Sequence, residues 1–242
     1  MNYQTNNYGS LYLIPSLISD SGLEVLAPEI KITCSFIDHY LVENIRTARR
    51  FLSKLNLEKS ISSINFNILD KNTTEETIES LMSPIFIGHH IGIISEAGCP
   101  GIADPGALAV FFAHRHGIRV NPLTGPSSIL LALMSSGLSG QSFCFHGYLP
   151  IEKQSRSKSL IRLEQESGAN GTTQIFMETP YRNQKLYDAI LNICQPSTLL
   201  CIARDIQGPE QLINTFPISK WRTTKLDLHK KPTIFLLASY KP

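Results

Sequence analysis

Between residues 95 and 106 the chain reads Ser95-Glu-Ala-Gly-Cys-Pro-Gly-Ile-Ala-Asp-Pro-Gly106. Glycine at 98, 101 and 106 permits positive φ and close backbone approach, and proline at 100 and 105 stiffens the turn. A loop so constrained usually exists to present backbone groups to a ligand. The bland alternative is a rigid structural turn. The loop is not a Walker loop, because G-x-x-x-x-G-K-S/T is missing, and Gly98 and Gly101 do not have G-x-G-x-x-G spacing. The nucleophile elbow G-x-S-x-G is also absent. His89-His90 and His114-x-His116 lack a third ligand, so no metal site is expected. The five cysteines, Cys34, Cys99, Cys144, Cys194 and Cys201, form no C-x-x-C pair. Their odd number argues against a disulfide framework or zinc ribbon and for a reducing, cytoplasmic setting. Isolated cysteines of this kind are usually small buried hydrophobes.

Positive charge is clustered rather than abundant. The formal net charge is +2 over 242 residues, which neither requires nor excludes a nucleic-acid partner. One basic run is Lys153, Arg156, Lys158 and Arg162; a second is Lys220, Arg222, Lys225, Lys230 and Lys231. Either could meet phosphates, although such runs are more often solvated faces. Apolar residues make up 42% and charged residues 17%, an ordinary soluble composition. No apolar run reaches the roughly 18 residues of a bilayer span, and the polar start, Met1 to Ser10, reads as a frayed tail rather than a signal peptide.

The elements that position these residues alternate. Strands are expected at 11–15, 32–37, 61–69, 91–95 and 118–122. Helices are expected at 41–55, from a Thr73/Glu76 capping box to 81, and at 107–116. Strands alternating with helices indicate an α/β fold around a largely parallel sheet, with ligands beyond the carboxyl ends of the strands. The loop at 96–106 lies there. The segment Thr124-Gly-Pro-Ser-Ser128 opens a helix whose body, 129–134, is apolar on all sides and should be buried. The boundary is placed before it, giving domains 1–122 and 123–242. Beyond it come strands at 143–148, 172–178, 198–204, 212–216 and 233–239, with helices at 152–167 and 181–193.

Ser95 to Gly106 resembles the S-D-A-G-x-P-G-x-x-D-P-G signature of the ribosomal RNA 2′-O-methyltransferase I family, within the tetrapyrrole-methylase superfamily. Glu96 replaces the usual Asp and Cys99 the usual Thr. Further matches follow in order. Gly125-Pro-Ser-Ser128 is similar to G-P-S-A/S, Phe145-His-Gly-Tyr-Leu-Pro150 to F-x-G-F-L-P, Glu178-Thr-Pro-Tyr-Arg182 to E-S-P-H/Y-R, and Ala203-Arg-Asp205 to A-R-E. Glu43-Asn-Ile-Arg46 is a weakened E-D-T-R.

The resemblance implies two α/β domains of the tetrapyrrole-methylase type with a cofactor cleft between them, in a homodimer. It implies S-adenosyl-L-methionine (SAM) as methyl donor, held mainly by backbone groups, and no metal. On that basis the cofactor contacts are expected at Glu96, Ala97, Gly98, Ser127, Ser128, Met177, Pro232 and Thr233, with Leu130 and Met177 as apolar walls for adenine. A ribose hydroxyl acceptor must lose a proton. The candidate bases are Glu43, Asp104 and Glu178, with Glu178 favoured because it ends a strand. Each has a plainer role: Asp104 as a helix cap, Glu43 as a partner for Arg46 or Thr47, and Glu178 as a holder of Arg182. Lys153, Arg156, Lys158 and Arg182 are the expected contacts to ribosomal RNA.

The chain departs from the family pattern in three places. Where the family's first strand ends in T-P-I-G-N, this chain has Pro15-Ser-Leu-Ile-Ser19. Asn44 and Ile45 replace the Asp and Thr of E-D-T-R. The chain also stops soon after its last strand, like a short paralogue. The leading expectation is 2′-O-methylation of ribosomal RNA. The alternatives are methylation of a tetrapyrrole or other small metabolite, and a non-catalytic SAM- or RNA-binding module.

Overall fold

A computed structural model describes residues 7–19 and 22–240. The chain forms two compact units, Met1–Ser127 and Ser128–Pro242. Residues 123–127 lie with the first unit, where Gly125 packs against Pro15.

The first unit is a five-stranded, all-parallel sheet built from β1 (Ser10–Ile14), β2 (His39–Val42), β3 (Asn65–Ile68), β4 (Ile91–Ile94) and β5 (Arg119–Pro122). The strand order is β3-β2-β4-β1-β5. Parallel strands covered on both faces read as continuous aliphatic runs, and Ile91–Ile94 is buried at every position. Helices α1 (Pro28–Phe36), α2 (Ile45–Lys54), α3 (Glu75–Met82) and α4 (Gly106–Arg115) make the crossovers. Because β1 lies beside β4, the loop that leaves β1 is next to the loop that leaves β4. This adjacency assembles the candidate site.

Several elements differ from the sequence expectation. Residues 32–37 were expected to be a strand, but Pro28–Phe36 is a helix. Pro28 occupies its first turn, where the missing N–H costs nothing, and Glu29 complements the helix dipole. The buried positions Ile30, Thr33 and Cys34 recur at helical spacing. The helix expected from Leu41 begins only at Ile45. Residues 39–42 are strand β2, and Asn44 caps α2 by accepting from the N–H groups of Arg46 and Thr47. Thr74, not Thr73, caps α3; Thr73 Oγ1 instead accepts from the Asp70 N–H. Of the expected frayed tail, residues 1–6 lie outside the described residues. Gly9 is docked, its N–H donating to Ile85 O at 2.8 Å, and Ser10 begins β1.

The second unit holds a mixed sheet of β6 (Phe143–Tyr148), β7 (Thr173–Met177), β8 (Leu199–Arg204), β9 (Leu212–Pro217) and β10 (Thr233–Ala238). Its order is β6-β7-β10-β8-β9, with β10 antiparallel to both of its neighbours. Phe176 and Phe235 stack with centroids 6.0 Å apart at the core. Trp221 is buried and donates its indole N–H to Leu200 O at 2.8 Å. Helix α5 (Ser128–Ser136) opens the unit, followed by α6 (Lys153–Asn170), α7 (Asn183–Ile193) and the short α8 (Ile218–Trp221). Helix α5 is not buried all round as expected. Ala132 and Leu133 are buried, but Leu130 is 53% and Met134 78% exposed, so its apolar composition hides an outward face.

Helix and strand make opposite predictions for residues 30 and 32, which would share one face of a strand. Ile30 is fully buried and Ile32 is 63% exposed. In urea titrations Ile30→Ala should cost about 2–4 kcal/mol, whereas Ile32→Ala should stay within roughly 0.5 kcal/mol.

Candidate functional site

Three loops at the carboxyl ends of the first sheet meet. After β1, Ser16 donates its N–H to Gly98 O at 2.9 Å and its hydroxyl to Ser95 O at 3.1 Å. After β4, Gly98 turns with φ +75°, and a Cβ there would stand 3.3 Å from Pro126 O and from Ile18. After β5, Gly125 is so close to Pro15 that a Cβ would lie 2.1 Å from the ring. The Cys99 thiol points to the Gly125 and Pro126 carbonyls, at 3.8 and 3.4 Å. Glu96, Ala97, Gly98 and Ser127 are therefore grouped around one junction. Ser16 was not among the expected site residues; its position within Pro15–Ser19, the segment that replaces T-P-I-G-N, was the available signal.

Beside the junction lies a cavity of about 260 Å³, just below the ~300–1,000 Å³ range of small-molecule sites. Leu17, Ile18, Phe51 and Ile94 contribute apolar walls, Glu96 a carboxylate, and Arg50 a guanidinium.

Two of the three candidate bases stand near this junction. Glu43 does not pair along α2 as its plainer role supposed. It precedes the helix, and its Oε1 accepts the Glu96 N–H at 3.3 Å. Thr47 Oγ1 donates to Glu96 Oε1 at 3.5 Å. Burial, opposed by that backbone hydrogen bond and reinforced by the charges of Asp104 and Glu96, raises the Glu43 pKa. Asp104 Oδ1 accepts two N–H groups, from Gly101 at 2.6 Å and Gly106 at 2.8 Å. Its Oδ2 is buried without a hydrogen-bond partner. Desolvation raises the Asp104 pKa despite those two bonds.

In the second unit, the carboxyl end of β7 and the start of β10 bring together Met177, Glu178, Pro232 and Thr233. Ile234 pairs with Met177, and Thr233 is buried and donates to Lys231 O at 3.0 Å. Pro232 is exposed, and its carbonyl accepts the Asp205 N–H. Glu178 is buried; its Oε1 accepts from Arg182 at 2.6 Å and from the Thr179 N–H at 2.7 Å. This hydrogen-bonded ion pair raises the Arg182 pKa, and Arg182 Nε is buried without a partner. Ser128 is the first residue of α5. Lys153 and Lys158 are exposed on α6, whereas Arg156 is half-buried and donates to Ile151 O. The second basic run is largely engaged in packing. Arg222 donates to Leu191 O and Cys194 O, Lys220 lies 3.4 Å from the centre of the Phe216 ring, and Lys231 pairs with Glu210.

The histidines have structural neighbours. His39 and His89 rings lie 4.9 Å apart, His90 Nδ1 accepts the Ser10 N–H, and His116 stacks on Phe112. Among the described residues, no group of three His, Cys, Asp or Glu is placed to hold a metal ion. Likewise, no described helix is long and apolar enough to cross a membrane.

Comparison with solved structures places this architecture. The methyltransferase CobJ superposes with a TM-score of 0.63 at 15% identity, covering 95% of this chain and 94% of that one. Uroporphyrin-III-C-methyltransferase from Thermus thermophilus gives 0.56 at 16% identity, over 96% and 92%. The fold is that of the tetrapyrrole methylases, and the chain is a methyltransferase. The Vibrio cholerae Ribosomal RNA small subunit methyltransferase I is 29% identical over 229 residues, covering 94% of this chain and 76% of that protein. The protein of the same name from Buchnera aphidicola subsp. Schizaphis graminum is 30% identical over 202 residues, covering 83% and 67%. No family model matches. The chain belongs to the ribosomal RNA small subunit methyltransferase I family.

Gly125→Ala should destabilise the first unit by about 1–3 kcal/mol in chemical denaturation, because the Pro15 ring cannot yield cheaply. For Asp104 the sign follows from its raised pKa. The protonated form favours the fold, so its contribution is complete below the unfolded value near ~4 and is lost as pH rises through the native value. Asp104→Asn keeps the Oδ1 acceptor but does not titrate. Its melting temperature should therefore fall less than that of the wild type as pH is raised above about 4, the unfolded-state value for aspartate, as read by scanning calorimetry across pH.

Proposed function

We propose that the chain transfers a methyl group from SAM to a ribose 2′-hydroxyl of small-subunit ribosomal RNA. The observation that carries this reading is the junction of Ser16, Glu96–Gly98 and Gly125–Ser127 beside the carboxylate-edged cavity, in a chain of this family. The residues fit the donor. Gly98 and Gly125 let the three loops close against Ile18, Pro126 and Pro15, which holds the junction beside the cavity in place. The apolar walls suit adenine, and Glu43, Glu96 and Asp104 put negative charge near a site for a sulfonium cation. When bound, SAM supplies an electrophilic methyl group.

The chain's own residues supply position and proton handling. Ala97, Gly98 and Ser127 present backbone groups toward the donor in the first unit. The Glu178–Arg182 pair holds a guanidinium in place for a phosphate of the acceptor, and Lys153, Arg156 and Lys158 extend that positive charge along α6. Glu178 is committed through Oε1 to Arg182, so proton removal falls to Glu43 or Asp104, whose carboxyls ionise late. The exposed Leu130 and Met134 of α5 support assembly as a homodimer. Five free thiols support a reducing, cytoplasmic setting.

The test is transfer of tritiated methyl from SAM into purified small ribosomal subunits, followed by nuclease digestion to locate the label. Label should appear on a ribose of the ribosomal RNA. Glu43→Gln or Asp104→Asn, whichever removes the base, should lower kcat by about 10²–10⁴-fold. Arg182→Ala should instead raise KM for the subunit. SAM binding without label in any RNA would overturn the assignment.

A further inference from the structure

A second group of reactive side chains stands on the edge strand of the second sheet. β6 carries Cys144 and His146, two residues apart and therefore on one face. Cys144 is exposed, and its Sγ lies 3.9 Å from His146 Nδ1. His146 Nε2 lies 2.5 Å from Gln174 Oε1. Gln174, on β7, is only 2% exposed and is the ladder partner of Cys144. Its side-chain Nε2 donates to Thr172 O at 3.5 Å, which sets the direction of the amide. An amide oxygen can only accept, so His146 carries its proton on Nε2 and turns the Nδ1 lone pair toward the thiol. A nucleophile, a base and a group that orients the base thus stand in a row.

The other four cysteines are unlike it. Cys34, Cys194 and Cys201 are buried. Burial raises the thiol pKa of Cys34 and Cys201 to about 11 and that of Cys194 to about 12. Cys99 is half-buried, and desolvation together with the Asp104 charge raises its pKa as well. Among the described residues, no carboxylate, lysine or arginine makes a hydrogen bond or ion pair with Cys144 or His146. The facing groups from β7 are Gln174 and Thr172, and Tyr148 follows on β6.

We infer that Cys144 is a modification site, a thiol activated by His146 for exchange with a small disulfide of the glutathione type. The Cys144 proton passes to His146 Nδ1, and the thiolate attacks one sulfur of the disulfide. The new bond joins Cys144 Sγ to that sulfur while the original S–S bond breaks. The departing thiolate takes the proton back from His146. Cys144 is oxidised to a mixed disulfide, and the other half of the reagent leaves reduced, as a thiol.

The experiment uses the full chain, reduced and then exposed to glutathione disulfide across pH, with intact mass and peptide mapping over time. The first adduct should be a single glutathione on Cys144. His146→Ala should slow the reaction at neutral pH by about fivefold. Gln174→Leu should slow it as well. A first adduct on any other cysteine, or equal rates and profiles for wild type and His146→Ala, overturns the inference. If His146→Ala does not fold by circular dichroism, His146→Gln takes its place, and a rate equal to that of the wild type overturns the inference.

Discussion

Ser16 joins two loops that are 79 residues apart in sequence. Its backbone N–H and its hydroxyl each donate to a carbonyl of the segment after β4, at Gly98 and Ser95. Ser16 is 4% exposed, so neither bond competes with bulk water, and losing either would leave a buried polar group unmet. Without this seam the glycine-rich segment would have no fixed relation to β1, and the cavity beside it would have no defined wall. The parallel order of the sheet makes the seam available by setting β1 next to β4. The rest of the candidate site in the first unit, from the Glu43 bond to Glu96 to the packing of Gly125 on Pro15, is assembled around that constraint.

How much of this was legible in the sequence depended on the kind of force involved. The glycine–proline segment 95–106 could be read because backbone demands restrict residue type there. The α/β class followed from periodicity. The helix Pro28–Phe36 was missed because its aliphatic residues look strand-like; the better signal was Pro28 at a first-turn position followed by Glu29. The boundary of α2 was missed because Leu41 is apolar in either structure, while Asn44 carried the information as a cap. The loss of Asp at position 44 is mild in these terms, since Asn accepts the same two N–H groups. The roles of Glu43 and Asp104 could not be read from spacing, because both depend on backbone N–H groups delivered by a distant or tightly turned segment. Likewise, what sets Cys144 apart from the other four cysteines, its exposure and the His146–Gln174 row beside it, depends on the strand register.

The carboxylates show how one residue type can serve different ends. Glu164 is also buried, yet it accepts from the Gln195 N–H at 2.8 Å and the Thr198 hydroxyl at 2.5 Å and anchors α6 to the start of β8. Asp104 spends one oxygen on its loop and leaves the other buried without a hydrogen-bond partner. A buried carboxylate whose oxygen ties two segments together is a strut. One kept half-satisfied is held in a state that a bound cation or a transferred proton would relieve.

The order of strands in the second sheet has a consequence for synthesis. β10 lies at the centre, between β7 and β8, yet it follows every other strand of that sheet along the chain. While the nascent polypeptide emerges, β7 and β8 must wait with open ladders, because the element that bridges them is made after both. The hydrophobic layer of Phe176 cannot close until Phe235 has left the exit tunnel. Completion of this unit therefore waits for β10, and the interval before it exposes two unpaired edges to neighbouring chains or to chaperones.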